Sequence, residues 1–369
     1  MDAEAPRRMR PAHVSPSGSA PGIRSGRHAL VEMMRFGSQL KSAGYDVAST
    51  CNLRCEGCFY FSGDASNIEP ETGTLADWQA FFRAEGARGV NYAFLAGAEP
   101  SLHPERIRAA MTGIPSGMVF TNGTKRIPED IAYRLHISLW GDDDTADRVR
   151  GASVNAKAFR NYAGDPRALF IFTINAQNIA EIRPMVRRCA DNGVRISFNY
   201  YSPTTDYLQR LGGAPAEDSA YFRFSTEDDN LLLDADALAR CRDVLAAVVA
   251  EHPDTVLYSL DYDRWITQSP APYTLDADGI ATDCSFRSDG WHQHHQINRG
   301  VSPQKCGNPN LDCSQCRTYA AGMGSYVRRL RKTVDQANDR QSWAAAFAIW
   351  QAIFMGPQAG TGSRRVAAE

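Results

Sequence analysis

The chain has 369 residues, 43% of them hydrophobic and 22% charged. This is the composition of ordinary globular domains, so disorder of the whole chain is excluded. Lys plus Arg number 40 and Asp plus Glu number 42, and the resulting net charge of −2 excludes a broad polyanion-binding surface as the main function. The most apolar stretch, residues 343–355, is shorter than the about 20 residues of a membrane span.

Both ends of the chain differ in composition from its middle. Residues 1–25 are rich in Pro, Ser, Ala and Arg and are predicted to be a disordered arm, and residues 356–369 are predicted to be a disordered tail. No apolar run follows the basic N-terminus, as a signal peptide would require, so a cytoplasmic location is predicted.

Six short apolar runs in the first half of the chain predict β-strands that alternate with helices. One helix is predicted to begin after Thr74, because Thr74 and Asp77 form a capping-box pattern. Another is predicted over residues 179–191, ending at Asn192-Gly193. The alternation predicts an α/β fold with a parallel sheet, as a partial, TIM-like (β/α)6 barrel. The predicted strands are 45–50, 91–96, 117–122, 133–139, 168–175 and 194–200.

The domain boundaries follow from this alternation and from the cysteines. The barrel is predicted over residues 40–250, and a loop-rich, cysteine-rich extension over residues 255–330. Two of the nine cysteines, Cys189 and Cys241, lie on helical patterns, where packing is the expected role.

Three cysteines crowd into one loop directly after the first predicted strand. Cys51, Cys55 and Cys58 are separated by three and by two residues. Three thiolates are one short of a closed tetrahedral zinc site, so a zinc knuckle would have to take a fourth ligand from elsewhere. They can instead hold three irons of a cubane cluster and leave its fourth iron open for chemistry. The spacing leaves both interpretations possible.

The Cys-x3-Cys-x2-Cys spacing after a first strand resembles the signature of the radical S-adenosylmethionine (radical SAM) superfamily. In that family the open iron of a 4Fe-4S cluster binds SAM, and an electron from the cluster cleaves it to a 5′-deoxyadenosyl radical. The resemblance therefore implies that Cys51, Cys55 and Cys58 are the catalytic cluster ligands.

Four later segments continue the resemblance at the ends of successive strands. Gly97-Ala98-Glu99-Pro100 is similar to the family's Gly-Gly-Glu-Pro turn, which implies that Glu99 meets the methionine ammonium. The other segments are Thr121-Asn122-Gly123, the fourth strand with Ser138, and the end of the fifth strand with Asn175. The implied SAM-binding residues are Phe59, Tyr60, Gly97, Ala98, Glu99, Pro100, Asn122, Ser138 and Asn175.

Two positions depart from the family pattern. Trp140 stands where the family has an Asp after the Ser of the fourth strand, which puts a polar role there in doubt. Gly57 precedes the third cysteine, where the family often has an aromatic residue. Stacking on the adenine would therefore fall to Phe59 or Tyr60.

Four further cysteines form a second set near the C-terminus. Cys284 follows Gly279 by the spacing Gly-x4-Cys, and Cys306 precedes Cys313-x2-Cys316. Four thiolates complete a closed Fe-S or zinc site. The pattern resembles the SPASM and Twitch extensions and implies an auxiliary 4Fe-4S cluster, with zinc as the alternative. One of the three histidines in residues 291–295 could replace a cysteine, but contact with solvent or substrate is the favoured interpretation.

The resemblance implies an enzyme that uses SAM and a 4Fe-4S cluster, and leaves open whether it is an oxidoreductase or a transferase. A small polar metabolite, such as a sugar, a nucleoside or a natural-product intermediate, is the predicted substrate, because no added N-terminal domain that could hold a leader peptide is visible. Alternatives are a peptide-modifying maturase, adenosyl transfer to an alkene, and a non-enzymatic Fe-S or zinc binding module. A flavodoxin- or ferredoxin-type electron donor is expected. Binding of nucleic acid and a membrane span are not expected.

Overall fold

The computed structural model describes residues 27–61, 73–213, 220–297, 300–308, 310–334 and 337–356. The predicted arm 1–25 and all but the first residue of the predicted tail 356–369 lie outside these ranges. One hydrophobic core extends through the described chain, from Met33 near its start to Phe354 near its end.

Six parallel strands follow one another in the sheet in chain order, each paired with the next. Two further strands extend the sheet beyond β1, where β7 pairs with β1 in parallel and β8 pairs with β7 antiparallel. The sheet order is β6-β5-β4-β3-β2-β1-β7-β8, so the predicted α/β partial barrel is confirmed. The strands are β1 Ser42–Asp46, β2 Tyr92–Ala96, β3 Ser116–Thr121, β4 Arg134–Leu139, β5 Ala168–Ile174, β6 Ile196–Tyr200, β7 His294–Gln296 and β8 Gly300–Val301.

Helices connect the strands and complete the fold. In the βα part they are α1 Arg27–Gln39, α2 Leu75–Ala87, α3 Pro104–Gly113, α4 Asp143–Arg150, α5 Asn155–Tyr162 and α6 Ile182–Asp191. The later helices are α7 Thr205–Leu211, α8 Ala235–Glu251, α9 Leu260–Ile266, α10 Ser285–Ser288, α11 Tyr319–Arg331 and α12 Ala337–Phe354.

The helix ends bear out the capping signals. Helix α2 begins after Thr74, whose hydroxyl accepts from the backbone N–H of Asp77, while the Asp77 carboxylate accepts from the backbone N–H of Thr74. The predicted helix 179–191 begins with a short 3-10 turn, Ile179–Glu181, before α6. It ends as expected before Gly193, which has a positive φ of 62°.

The first strand differs from its prediction over residues 45–50. It covers Ser42–Asp46, and the apolar Val47 and Ala48 that suggested a longer strand are buried in the following loop. The small residues Ala43 and Gly44 have low strand propensity, yet they pair with β2 on one side, and Gly44 also pairs with β7 on the other.

Helix α12 contains the apolar stretch 343–355 and closes the N-terminal end of the barrel. Its last turn presents carbonyls to the sheet: Phe354 O accepts from the Tyr92 hydroxyl at 2.7 Å, and Ile353 O accepts from Arg134 Nε at 3.2 Å. Cationic and hydroxyl donors are favourable at a helix C-terminus, where carbonyls lack partners within the helix. None of the described helices is both long and apolar enough to cross a membrane.

Candidate active site

A cavity of about 340 Å³ lies inside the sheet. Side chains alternate between the two faces of a strand, so each strand presents every second residue to it. The residues of β1 to β6 that line the cavity include Gly44, Phe94, Ala96, Phe120, His136, Ser138, Ile171, Thr173 and Asn199. In parallel α/β sheets, active sites form at the C-terminal strand ends, and here the loops after β1, β2 and β3 and residues of the later segment 273–321 also line the cavity.

The three cysteines of the first set line this cavity together. Cys51, Cys55 and Cys58 are free thiols in the loop after β1. Burial raises the pKa of Cys51 to about 11 and that of Cys58 to about 12, because a thiolate loses hydration there. Among the described residues, no three His, Cys, Asp or Glu side chains are grouped so as to hold one metal ion. Three soft sulfur donors facing one cavity fit an iron-sulfur cluster chemically.

Glu56, inside the cysteine motif, anchors its loop. This side chain is fully buried, and its carboxylate accepts from the backbone N–H of Arg223 at 2.6 Å and of Ser225 at 3.1 Å. Gly57 adds a backbone bond to Tyr221 O at 2.8 Å. Gly57 has φ +57°, and a Cβ there would lie 2.2 Å from the Tyr201 hydroxyl oxygen, so glycine is required where the family often has an aromatic residue.

The turn after β3 holds the first cysteine in place. The side-chain amide of Asn122 donates to Asn52 Oδ1 at 2.9 Å and approaches Cys51 Sγ at 3.9 Å. Its carbonyl oxygen accepts from the backbone N–H of Thr124 at 2.9 Å. Asn122 therefore lines the cavity while connecting the β3 turn to the cysteine loop.

Glu99, after β2, presents a buried carboxylate to the same cavity. Its Oε1 accepts from the Thr121 hydroxyl at 2.6 Å and from the Ser101 backbone at 3.0 Å, and its Oε2 accepts from the Asn122 backbone at 2.7 Å. A carboxylate has about four acceptor positions, so three fix Glu99 and one on Oε2 stays open to a ligand. The turn requires Gly97, because its φ is +113° and a Cβ would lie 2.6 Å from Ala48 O.

Arg150, to which the sequence assigned no role, also lines the cavity. It is 3% exposed, and its Nη1 donates to the backbone oxygen of Ser138 at 2.7 Å. Its Nε has no hydrogen-bond partner among the described residues. A buried guanidinium with an open donor beside a cavity is suited to bind an anionic group.

The four cysteines of the second set line the same cavity as the first. A hairpin precedes Cys284, with Leu275 paired to Ala281 and a positive φ at Gly279. Burial raises the pKa of Cys284 to about 11 and that of Cys306 to about 12. Arg287 Nη2 approaches Cys313 Sγ at 3.8 Å, so a cation lies beside the second set.

No protein-family model and no curated protein matches the sequence. Among solved structures, Streptococcus suis SuiB bound to precursor peptide SuiA is similar, with TM-score 0.51 and 13% identity over 79% of this chain and 67% of that one. SuiB in a second structure gives TM-score 0.50 and 12% identity over 80% and 71%. SuiB is a radical SAM enzyme. This chain has the radical SAM fold.

A third structure with this fold, native anSMEcpe with bound AdoMet, has TM-score 0.48 and 12% identity over 83% of this chain and 84% of that one. The two SuiB structures confirm, for the fold, the recognition made from the cysteine and Glu99 motifs. The radical SAM fold is that of enzymes that use SAM and 4Fe-4S clusters, as the sequence led us to expect.

Most of the predicted site residues meet in the cavity of the radical SAM fold, and two do not. Pro100 begins a short 3-10 turn and Asn175 is fully buried, and neither lines the cavity. On β5 and β6, Thr173 and Asn199 line it instead. The predicted residues that line it are Cys51, Cys55, Cys58, Phe59, Tyr60, Gly97, Ala98, Glu99, Asn122, Ser138, Cys284, Cys306, Cys313 and Cys316.

Proposed function

We propose that this chain is a radical SAM enzyme that modifies a peptide substrate. The observation that carries the proposal is the convergence of seven cysteines, Glu99 and Arg150 on one cavity. A non-catalytic Fe-S or zinc module needs no carboxylate and guanidinium with open hydrogen-bonding positions beside its cysteines. A site for an amino acid needs both.

Cys51, Cys55 and Cys58 would hold the 4Fe-4S cluster, which supplies the electron that cleaves SAM and leaves one iron open. Glu99 would accept from the methionine ammonium through the open position on Oε2, in a charge-assisted hydrogen bond. Arg150 would donate through Nε to the methionine carboxylate. The methionine ammonium and carboxylate of SAM have opposite charges, and the cavity offers an oppositely charged side chain to each, Glu99 to the ammonium and Arg150 to the carboxylate.

The nucleoside end of SAM would lie toward the remaining lining residues of the first half. Phe59, which is 39% exposed, and Tyr60 offer rings for the adenine. Ser138, Thr173 and Asn199 offer hydroxyl and amide groups for the ribose. Asn175 is left out of this assignment because it lies outside the lining.

Cys284, Cys306, Cys313 and Cys316 would hold an auxiliary 4Fe-4S cluster. Their common cavity with the first set supports this role, because the substrate would lie between two redox centres. Arg287 beside Cys313 would offset part of the negative charge of four thiolates. A structural zinc ion is the alternative, and metal analysis separates the two.

A peptide is favoured over the small polar metabolite predicted from the sequence. SuiB, whose fold this chain shares, was solved bound to precursor peptide SuiA. The cavity lining is mostly apolar and includes several aromatic and aliphatic side chains, which suits an apolar or aromatic side chain better than a sugar. These residues include Phe94, Phe120, Ile171, Phe286 and Tyr319. A flavodoxin- or ferredoxin-type protein would supply the electrons, and we retain the prediction of a cytoplasmic location.

The decisive experiment is anaerobic. The protein is reconstituted with iron and sulfide and mixed with SAM and dithionite, and 5′-deoxyadenosine is quantified. We expect cleavage by the wild type and none by Cys55→Ala, while Cys189→Ala, a buried cysteine outside the cavity, behaves as wild type. Cleavage by Cys55→Ala at the wild-type rate refutes the assignment. A peptide library should stimulate cleavage more than a pool of sugars and nucleosides, and the reverse result contradicts a peptide substrate.

A further inference from the structure

Asp46 and His294 form a buried pair to which the proposed function gives no role. His294 Nε2 lies 3.0 Å from Asp46 Oδ1, and the two residues are 6% and 5% exposed. Asp46 is the last residue of β1, just before the loop of the first cysteine set. His294 is the first residue of β7, and it lines the cavity.

Gly44 makes this pair possible. In the parallel pairing of β1 and β7, Gly44 is the partner of His294, so their side-chain positions share one face. A Cβ at Gly44 would lie 2.2 Å from His294 Nδ1, which shows that the imidazole lies across the glycine. The ring thereby reaches Asp46, two residues further along β1 on the same face.

The pairing fixes which ring nitrogen is basic. An ionised carboxylate only accepts hydrogen bonds, so Nε2 must carry the proton that it donates to Asp46. In the neutral ring, Nδ1 then has the free lone pair. Nδ1 accepts no hydrogen bond from any residue within the described ranges.

His292 stands beside His294 as a second imidazole on the cavity wall. It is 1% exposed and stacks on Phe286 at a centroid distance of 4.3 Å. Its Nδ1 lies 3.2 Å from the Ser42 hydroxyl, and its buried Nε2 has no partner in the part of the chain described. Burial lowers the pKa of His292 to about 3, so this ring stays neutral and can only hydrogen-bond.

We propose that His294, oriented by Asp46, is the acid–base residue that exchanges a proton with the bound substrate, and that His292 positions the same polar group. The step moves one proton: an O–H or N–H bond of the substrate breaks, an N–H bond forms at Nδ1, and no electron is transferred. The substrate group is therefore one with an exchangeable O–H or N–H proton, such as a hydroxyl. This proposal rests on the proposed function only in requiring that the cavity binds a substrate.

The first test uses diethyl pyrocarbonate, a small reagent that acylates unprotonated imidazole nitrogen, on the reconstituted wild-type protein without SAM. His295 is the matched control, because its Nε2 also faces a carboxylate, Glu85 Oε2 at 3.3 Å, but its ring stacks on Tyr45 and does not line the cavity. Residue-resolved mass spectrometry should show His294 reacting about tenfold or more faster than His295, because His294 lines the cavity whereas the ring of His295 is stacked on Tyr45 and lies outside the lining. Equal rates overturn the proposal, and this result requires no variant to fold.

The second test is turnover with the substrate found by the library experiment. His294→Gln should lower kcat by about 100-fold to 10,000-fold, the usual contribution of a general acid–base group, with KM changed by less than about threefold. Asp46→Asn should lower kcat less, and should slow acylation of His294 severalfold. His295→Gln should change neither constant. Wild-type kcat in His294→Gln overturns the proposal. If the wild type forms no 5′-deoxyadenosine, the proposed function fails. The acylation rates of His294 and His295 still test the proposal for His294 in that case.

Discussion

The hydroxyl of Thr121 donates to Glu99 Oε1 at 2.6 Å and so joins the turn after β2 to the end of β3. Glu99 is held by this bond and by two backbone N–H groups, so its carboxylate has one orientation before any ligand arrives. A group fixed in advance loses little entropy when it binds, and that is the physical basis for expecting a strong contribution from this residue.

Replacing Glu99 by Gln should weaken SAM binding by about 10-fold to 100-fold, because a charge-assisted hydrogen bond contributes about 1.5–3 kcal/mol. Anaerobic equilibrium titration measures the dissociation constant. Glu105→Gln is the control, since that exposed carboxylate pairs with His103 just after the same turn. Unchanged affinity in Glu99→Gln would remove the residue from the SAM site.

Arg150→Gln should raise the dissociation constant for SAM about 10-fold or more, by loss of a charged donor to the methionine carboxylate. Arg148, two residues earlier, is the natural comparison, because it is about half exposed and pairs with Asp229 at the surface. We expect Arg148→Gln to bind SAM as the wild type does. If the two substitutions weaken binding equally, Arg150 acts through helix α4 and makes no contact with SAM.

The metal content tests the second cysteine set. Two clusters require about eight irons and eight sulfides per chain, by the correspondence of thiolates to clusters. A variant with Cys51, Cys55 and Cys58 all changed to Ala should retain about four irons and a brown charge-transfer absorbance. One zinc and no iron in this variant would identify a structural zinc site instead. Cys189→Ala, outside the cavity, should retain the full metal content.

Acid should destabilise the protein through His136. Burial lowers the pKa of His136 to about 3, whereas the unfolded chain has the ordinary value of about 6.5. The unfolded state therefore binds more protons between these values, and stability is complete above pH 6.5 and falls as the pH falls toward 3. From pH 7 to pH 5 this one group accounts for a loss of about 2 kcal/mol in the free energy of unfolding.

Urea denaturation at the two pH values measures this loss. His136→Gln should reduce it by about that amount, since the substitution removes the titrating group. A pH dependence identical in wild type and His136→Gln would show that other groups, such as the buried His292, account for the acid sensitivity.

The sequence predicted the repeating part of the fold well. Apolar runs located strands β2 to β6 to within two residues at each end. These strands are apolar because most of their residues are buried, on one face against the helices and on the other inside the barrel. Strand β7 was not predicted. Its residues, His294–Gln296, are polar and pair with β1 through tertiary contacts 250 positions apart in the sequence. No local pattern signals such a strand.

Site residues that belong to a sequence motif were predicted, and site residues whose role depends on their three-dimensional surroundings were missed. The seven cysteines of the two sets and Glu99 belong to motifs of fixed spacing, and all eight residues line the cavity. Glu56 lies inside the cysteine motif and Arg150 at the end of α4, and the roles of both depend on burial and on partners that the sequence does not reveal. Asn175 was chosen as a strand end, but β5 ends at Ile174, and the backbone N–H of Asn175 donates to Asn178 Oδ1 in the following turn, so Thr173 lines the cavity instead.

The seal that α12 makes across the N-terminal end of the barrel has a kinetic consequence. Tyr319 and His136 form the inner wall there, and Phe354 packs behind them with no exposed surface. As far as the described residues show, ligands cannot enter or leave through this end. All ligands therefore enter and leave through the opening at the C-terminal edge of the strands. Whichever ligand sits deeper must enter first and leave last. Binding would then be ordered, and an excess of the outer ligand would slow turnover by trapping the inner one.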